Sequence, residues 1–310
     1  MIIDAHVHVF PRVHGYGPKG ETRSAGYGRI DSGDGKPSYV LPVFCEETSH
    51  TVEMLLHNMD RCGVDKAVIL LCPCYGDWSD YVQDACRMFP EKLTGSAFFD
   101  PWKPDAKEYY QRVLRGPAWK NIKIEFSETG GLCGVYPGAE LDAPELRWIW
   151  KAMEDEGKTV SFDLGRPGDR SYQTDQIRSI AQRHPDLKIV ICHMGQPSRK
   201  VEQDPELWNL WLEQIRLGRL SNVWFDLSAL PYHVQEEEEY PFPSTQRYFD
   251  LALSITGAEK LLWGTDIPWL LGTATYAQLV RHGQHLVEKL SAGEQEQILS
   301  GNAETVYWNH

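Results

Sequence analysis

His6 and His8 stand two residues apart in the apolar run Ile2-Ile3-Asp4-Ala5-His6-Val7-His8-Val9-Phe10. On an extended strand, positions i and i+2 share a face, so both imidazoles aim in one direction where the strand gives way to a loop. Imidazole is the commonest protein ligand for zinc and its neighbours, and a same-face pair supplies half of a tetrahedral site. A bare His-x-His is short and common, and two hydrogen-bonded strand-end histidines explain it equally well. The rest of the chain has to decide.

Further polar residues end other apolar runs. Lys123 and Glu125 share one face of Ile122–Phe126, with Ile122, Ile124 and Phe126 on the other. Asp163 closes the run from Val160, His193 the run from Lys188, Asp226 and Ser228 the run from Val223, and Asp266 the run from Leu261. Each has an ordinary explanation by itself. A strand-end aspartate often caps a helix or anchors a loop, Glu125 can pair with Lys123, and His193 can be a hydrogen-bonded core histidine. Imidazoles and carboxylates recurring at the same end of at least four strands favour a shared site. Such mixed nitrogen and oxygen donors suit a divalent ion such as Zn²⁺, Mn²⁺ or Fe²⁺.

The strands carrying these residues alternate with helices. After the first strand, apolar runs mark strands at Lys66–Leu71, Leu93–Phe99, Asn121–Phe126, Thr159–Leu164, Leu187–Cys192, Val223–Leu227 and Leu261–Gly264. Helical spacing marks Ser49–Cys62, Tyr81–Met88, Ala106–Leu114, Leu146–Glu156, Gln176–Arg183, Leu207–Leu217, Gln246–Ile255, Tyr276–Leu286 and Ala292–Leu299. Gly63, Gly157, Gly218 and Gly257 close four of them. Roughly eight β-then-α units predict an α/β fold, a (β/α)8 TIM barrel spanning residues 1–310 as one domain. In that fold the reacting groups lie at the C-terminal strand ends, where the residues above fall. The Gly-rich stretch after strand one, residues 11–48, has no usable periodicity and is expected to be an irregular insertion serving as a lid. An open doubly wound sheet is the runner-up, weakened because no G-x-G-x-x-G follows a strand.

Composition narrows the partners. A net charge of −13 over 310 residues argues against nucleic acid, and no apolar run approaches a membrane span. The start of the chain lacks the basic-then-apolar layout of a signal peptide. Seven scattered cysteines include Cys72-Pro73-Cys74, a C-x-C rather than a redox or zinc C-x-x-C. The expectation is a cytoplasmic protein with reduced thiols and a small-molecule substrate, with homo-oligomerisation left open.

The chain resembles the amidohydrolase superfamily, in its amidohydrolase-related branch of aminocarboxymuconate-semialdehyde decarboxylase relatives and of pyrone-dicarboxylate and sugar lactonases. The motifs are Ile3-Asp4-Ala5-His6-Val7-His8, His193-Met194-Gly195-Gln196-Pro197, Trp263-Gly264-Thr265-Asp266-Ile267-Pro268-Trp269 and Ile298-Leu299-Ser300-Gly301-Asn302-Ala303. The resemblance implies one divalent ion, zinc first and manganese or iron next, with His6, His8 and Asp266 at the metal site. It implies Asp266 as general base as well, and His193 as the group that polarises the substrate or moves a proton. One departure stands out: the usual ligand histidine of strand five is missing, and the position reads Phe162-Asp163-Leu164-Gly165. Asp163 can replace it, Glu125 can take the vacant place, or the metal can be absent, because metal-independent lactonases occur in the branch.

Hydrolysis of a lactone, ester or other small carboxylate compound by metal-activated water is the leading expectation, since the segment from His193 to Pro197 looks more like the lactonases. Non-oxidative decarboxylation of a small aromatic or muconate-like acid is the alternative, and a barrel that binds without catalysing is the third. Arg166 is placed to clamp a substrate carboxylate, and Tyr172 and Trp269 to form an aromatic wall.

Overall fold

The structure, a computed structural model, describes residues 1–308. Eight parallel strands follow one another around a barrel: β1 (Ile3–Val7), β6 (Lys66–Ile69), β7 (Leu93–Phe98), β8 (Asn121–Glu125), β9 (Thr159–Asp163), β10 (Lys188–Ile191), β11 (Val223–Asp226) and β12 (Leu261–Leu262). The ring closes beyond the short β12. Ala5 N donates to Trp263 O, Asp266 N to His6 O and His8 N to Ile267 O. This is the (β/α)8 barrel that the alternation predicts, with the strands ending one to three residues earlier than their apolar runs.

One irregularity in β1 decides where its histidines point. Asp4 pairs with Ala67 of β6, but the next pairing is Val7 with Ile69, so β1 carries an extra residue. Such a bulge re-aims the side chains beyond it. Ile3 and Ala5 pack inside the barrel against Val68 and Leu70. Asp4 instead meets Thr265 and Tyr276, in the loop and helix after β12. Plain alternation from Ile3 would send His6 outward with Asp4. The bulge turns His6 and His8 to the interior.

Helices surround the barrel for local reasons. Thr51 caps the helix Val52–Cys62 by accepting from Met54 N, and Gly63 ends it at φ +69°. Val52, Leu55 and Met59 form its buried stripe. Thr275 with Gln278, and Ser291 with Glu294, make reciprocal capping boxes at two later helices. The C-terminal helix Asn302–Tyr307 plugs the N-terminal mouth: Ala303, Val306 and Tyr307 pack with Ile3, Val190 and Leu262. Tyr307 Oη lies 2.8 Å from Ser161 Oγ. With the floor sealed, the opposite mouth is left for chemistry. Among the described residues no helix is long and apolar enough to cross a membrane.

The insertion after β1 is not irregular. It forms an antiparallel meander of β2 (His14–Gly17), β3 (Gly20–Ser24), β4 (Arg29–Asp31) and β5 (Ser38–Tyr39). The sequence hides these strands because Gly20–Ser24 buries Thr22 alone. Alternation is visible only where one face is covered.

Candidate active site

His6 and His8 meet Asp266 at the C-terminal mouth. His8 Nε2 lies 3.0 Å and His6 Nε2 3.6 Å from the same Asp266 oxygen, Oδ1. The second nitrogen of each ring is held from behind. His8 Nδ1 is 2.5 Å from Leu70 O, an atom that only accepts, so Nδ1 carries the proton. His6 Nδ1 is 3.0 Å from Asp226 Oδ2. Burial holds both imidazoles below the usual histidine range, His6 down to about 4, despite their carboxylate neighbours. Each therefore presents an Nε2 lone pair towards Asp266.

Asp226, a strand-end candidate for which a cap or loop anchor was the ordinary alternative, organises the mouth. Beside His6 it accepts from the backbone N–H of His193 at 2.9 Å and from Ser228. Burial would raise its carboxyl, but His6, His193 and Ser228 hold it below the normal range. His193 Nδ1 is 2.8 Å from Ser228 Oγ and its Nε2 3.0 Å from Asp163 Oδ2. Burial opposes a charge on His193, yet Asp163, backed by Asp266 and Asp226, carries its pKa up to about 9. The ring is an imidazolium stacked on His6, with centroids 4.8 Å apart.

The backbone below His193 is unusual. His193, Met194, Gly195 and Gln196 all have left-handed φ, between +48° and +66°. Non-glycine residues hold this conformation at a cost of about 1–3 kcal/mol each where the surroundings enforce it. Here Tyr172 Oη donates to Gly195 O, Trp211 Nε1 to Met194 O, and Asp226 accepts from His193 N. A Cβ at position 195 would come within 2.4 Å of Gln214 Oε1 and 2.8 Å of Tyr172 Oη. Asp266 is also left-handed, at φ +65°.

The strand-four and strand-five carboxylates, the candidates for the place of the missing histidine, are engaged with other partners in this structure. Asp163 gives Oδ2 to His193, and its Oδ1 accepts from Gly165 N and Gln196 Nε2. Glu125 accepts from Ser127 Oγ at 2.6 Å and faces Lys123 Nζ at 3.3 Å. Neither joins the group of His6, His8 and Asp266, whose donor atoms lie within 4.8 Å of one another. Burial, and next the charge of Asp163, raise Glu125 to about 7 against the pull of Lys123.

The cavity over these groups measures about 190 Å³, room for a small molecule. Arg166 and Trp269 line it, as do Gln196, Tyr232 and His233. Tyr172 does not: buried behind the wall, it braces the turn after His193. Lys123, 1% exposed with Nζ 3.4 Å from His6 Nε2, is the residue that sequence reasoning undervalued. Its signal was a lysine sharing the inward face of a buried strand with Glu125.

The sequence profile named Amidohydrolase matches residues 3–308. The chain belongs to the amidohydrolase family. No curated protein matches it. An amidohydrolase from Burkholderia multivorans with bound HEPES superposes at a TM-score of 0.75, with 18% identity and 99% of each chain covered; a second crystal form holds zinc. A probable 2-pyrone-4,6-dicarboxylic acid hydrolase from Acinetobacter baumannii gives 0.70 at 18% identity, covering 98% of both chains. The 5-carboxyvanillate decarboxylase of Sphingomonas paucimobilis gives 0.58 at 17%, covering 87% of both. At such identities the likeness speaks for the barrel and leaves the reaction open.

Proposed function

We propose that this amidohydrolase hydrolyses a small carboxylate-bearing lactone or ester, with one divalent ion held by His6, His8 and Asp266. The donor set fits an ion. With the His8 proton fixed on Nδ1, its Nε2 lone pair faces a carboxylate oxygen at 3.0 Å, two acceptors that repel unless a cation lies between them. Zinc is the first expectation, with manganese or iron next, from the two imidazoles and one carboxylate. When bound, such an ion lowers the pKa of water and polarises a carbonyl.

The chain's own residues supply the rest. Asp266 lines the cavity, and among the described residues its Oδ2 has no hydrogen-bond partner, so it can take the proton of an attacking water. Burial would raise this carboxyl, but its surroundings, the His193 imidazolium among them, hold it below the usual carboxylate range and so ionised. The His193 imidazolium and the Lys123 ammonium place positive charge where the carbonyl oxygen becomes negative. Both His193 nitrogens are engaged, so it acts through charge rather than as a free donor. Arg166, exposed at the rim, suits a substrate carboxylate.

The observation that carries the reading is Asp266, ionised beside two oriented imidazoles in the wall of a small cavity. Non-oxidative decarboxylation is the second reading. It is favoured by Glu125, a carboxyl in the same cavity raised far enough to carry a proton for delivery to a ring carbon. A panel of sugar lactones, pyrone carboxylates and hydroxybenzoates, followed by mass spectrometry, tests both. Ring opening with addition of water supports hydrolysis, and release of CO₂ replaces it with the lyase. No turnover of any class refutes both.

A further inference from the structure

Two nucleophilic side chains in the cavity wall take no part in the chemistry above. After β6 the chain turns through Cys72-Pro73-Cys74-Tyr75, closed by Tyr75 N donating to Cys72 O at 3.1 Å. The meander grips this turn from outside. Tyr16 N donates to Pro73 O, His14 N to Tyr75 O and Thr22 Oγ1 to Cys74 O. From inside, the Tyr75 ring stacks on Phe10 at 4.2 Å and tilts against His8 at 5.3 Å. The two thiols of this held turn are 2.8 Å apart, and both line the catalytic cavity with His8 and Glu125. The five other cysteines do not line it.

We propose that Cys72 and Cys74 are an oxidisable dithiol in the wall of the catalytic cavity, closing to a disulfide when a hydroperoxide enters. The sulfurs have only to close from 2.8 Å to the covalent distance of about 2.05 Å. Cys72 is almost fully buried and Cys74 partly exposed, so Cys74 meets the oxidant first. Its sulfur attacks one peroxide oxygen and the O–O bond breaks. The departing hydroxide takes up the thiol proton as water, leaving Cys74 as a sulfenic acid. The Cys72 sulfur then attacks the Cys74 sulfur: the S–S bond forms, the S–OH bond breaks, and the hydroxide leaves as a second water with the Cys72 proton. Two thiols and one hydrogen peroxide give one disulfide and two waters. Both sulfurs are oxidised and both peroxide oxygens reduced.

Closure removes two thiol groups from the wall beside His8 and Glu125, so the state of the pair reshapes the cavity. The inference does not depend on which reaction the site performs, and its test needs no substrate. Reduced, desalted protein is treated with one equivalent of hydrogen peroxide, unfolded, alkylated with iodoacetamide and digested with trypsin. The fragment Ala67–Arg87 holds Cys72, Cys74 and Cys86. The expected product has lost two hydrogens and carries one alkyl group, on Cys86, and dithiothreitol before alkylation restores three. In Cys72→Ser, dimedone should trap a sulfenic acid on Cys74. Three alkylated cysteines after peroxide, or a bridge that includes Cys86, overturn the proposal. So does stable sulfinic acid on Cys74 in the unsubstituted protein.

Discussion

His6 Nδ1 lies 3.0 Å from Asp226 Oδ2, a pair excluded from solvent and separated by 220 positions in the chain. The same carboxylate accepts from the backbone of His193. One side chain on β11 thus sets the tautomer of the β1 imidazole and anchors the turn after β10. Behind a metal-binding histidine, such a carboxylate fixes ring orientation and raises basicity.

Asp226→Asn should therefore weaken divalent-ion affinity by about 10- to 100-fold while the barrel stays folded. Titration of zinc or manganese against a competing chelator reads this directly, with circular dichroism as the control. Unchanged affinity would take Asp226 out of the orienting role.

Asp266 bears on the reaction itself. Replacing it with asparagine removes both the charge and the accepting oxygen, and kcat on the substrate found by the panel should fall by about 10²- to 10⁴-fold. The variant should also bind the ion more weakly, so activity is read at saturating metal. A drop confined to unsaturated metal would leave Asp266 as a ligand with no part in proton transfer.

The barrel was legible because its strands are buried on both faces and read as short apolar runs. In β8, the alternation of Ile122 and Ile124 with Lys123 and Glu125 gave side-chain directions correctly. Asp163 was harder. Its partner, His193, is placed by four consecutive left-handed residues, a conformation that Met194 and Gln196 do not advertise. His6 and His8 faced the interior for a reason no pattern shows, the extra residue in β1. Asp226 looked like an ordinary strand-end aspartate because its contacts come from β1 and from the turn after β10, distant in sequence.

Lys123 and Glu125 form a buried ion pair, with side chains 1% and 6% exposed. Removing one member of such a pair strands the other charge, at a cost of about 3–5 kcal/mol. Lys123→Met should lose stability on that scale in urea unfolding. The double variant Lys123→Met/Glu125→Gln should recover part of it, giving a coupling energy of about 0.5–3 kcal/mol. Additive losses would mean that the pair is not coupled and that Lys123 acts through packing alone.

Acid sensitivity should arise away from the active site as well. His282, on the helix Tyr276–Val287, is buried, with Nε2 2.7 Å from Thr245 Oγ1 and its ring edge-on to Phe242. Burial, with a small push from His285, lowers its pKa to about 4. In the unfolded chain a histidine titrates near 6.5, so between these values the unfolded state binds the extra proton. Stability is therefore fully present above pH 6.5 and falls as the pH drops towards 4. The loss from this residue alone approaches about 3 kcal/mol, at 1.36 kcal/mol per pKa unit. Buried carboxylates such as Asp226 add their own losses at lower pH, so the decisive quantity is the difference between proteins. His282→Gln, which cannot take up the proton, should unfold in urea with a shallower pH dependence between 6.5 and 4. Parallel curves for the two proteins would show that His282 is solvated or already charged in the native state.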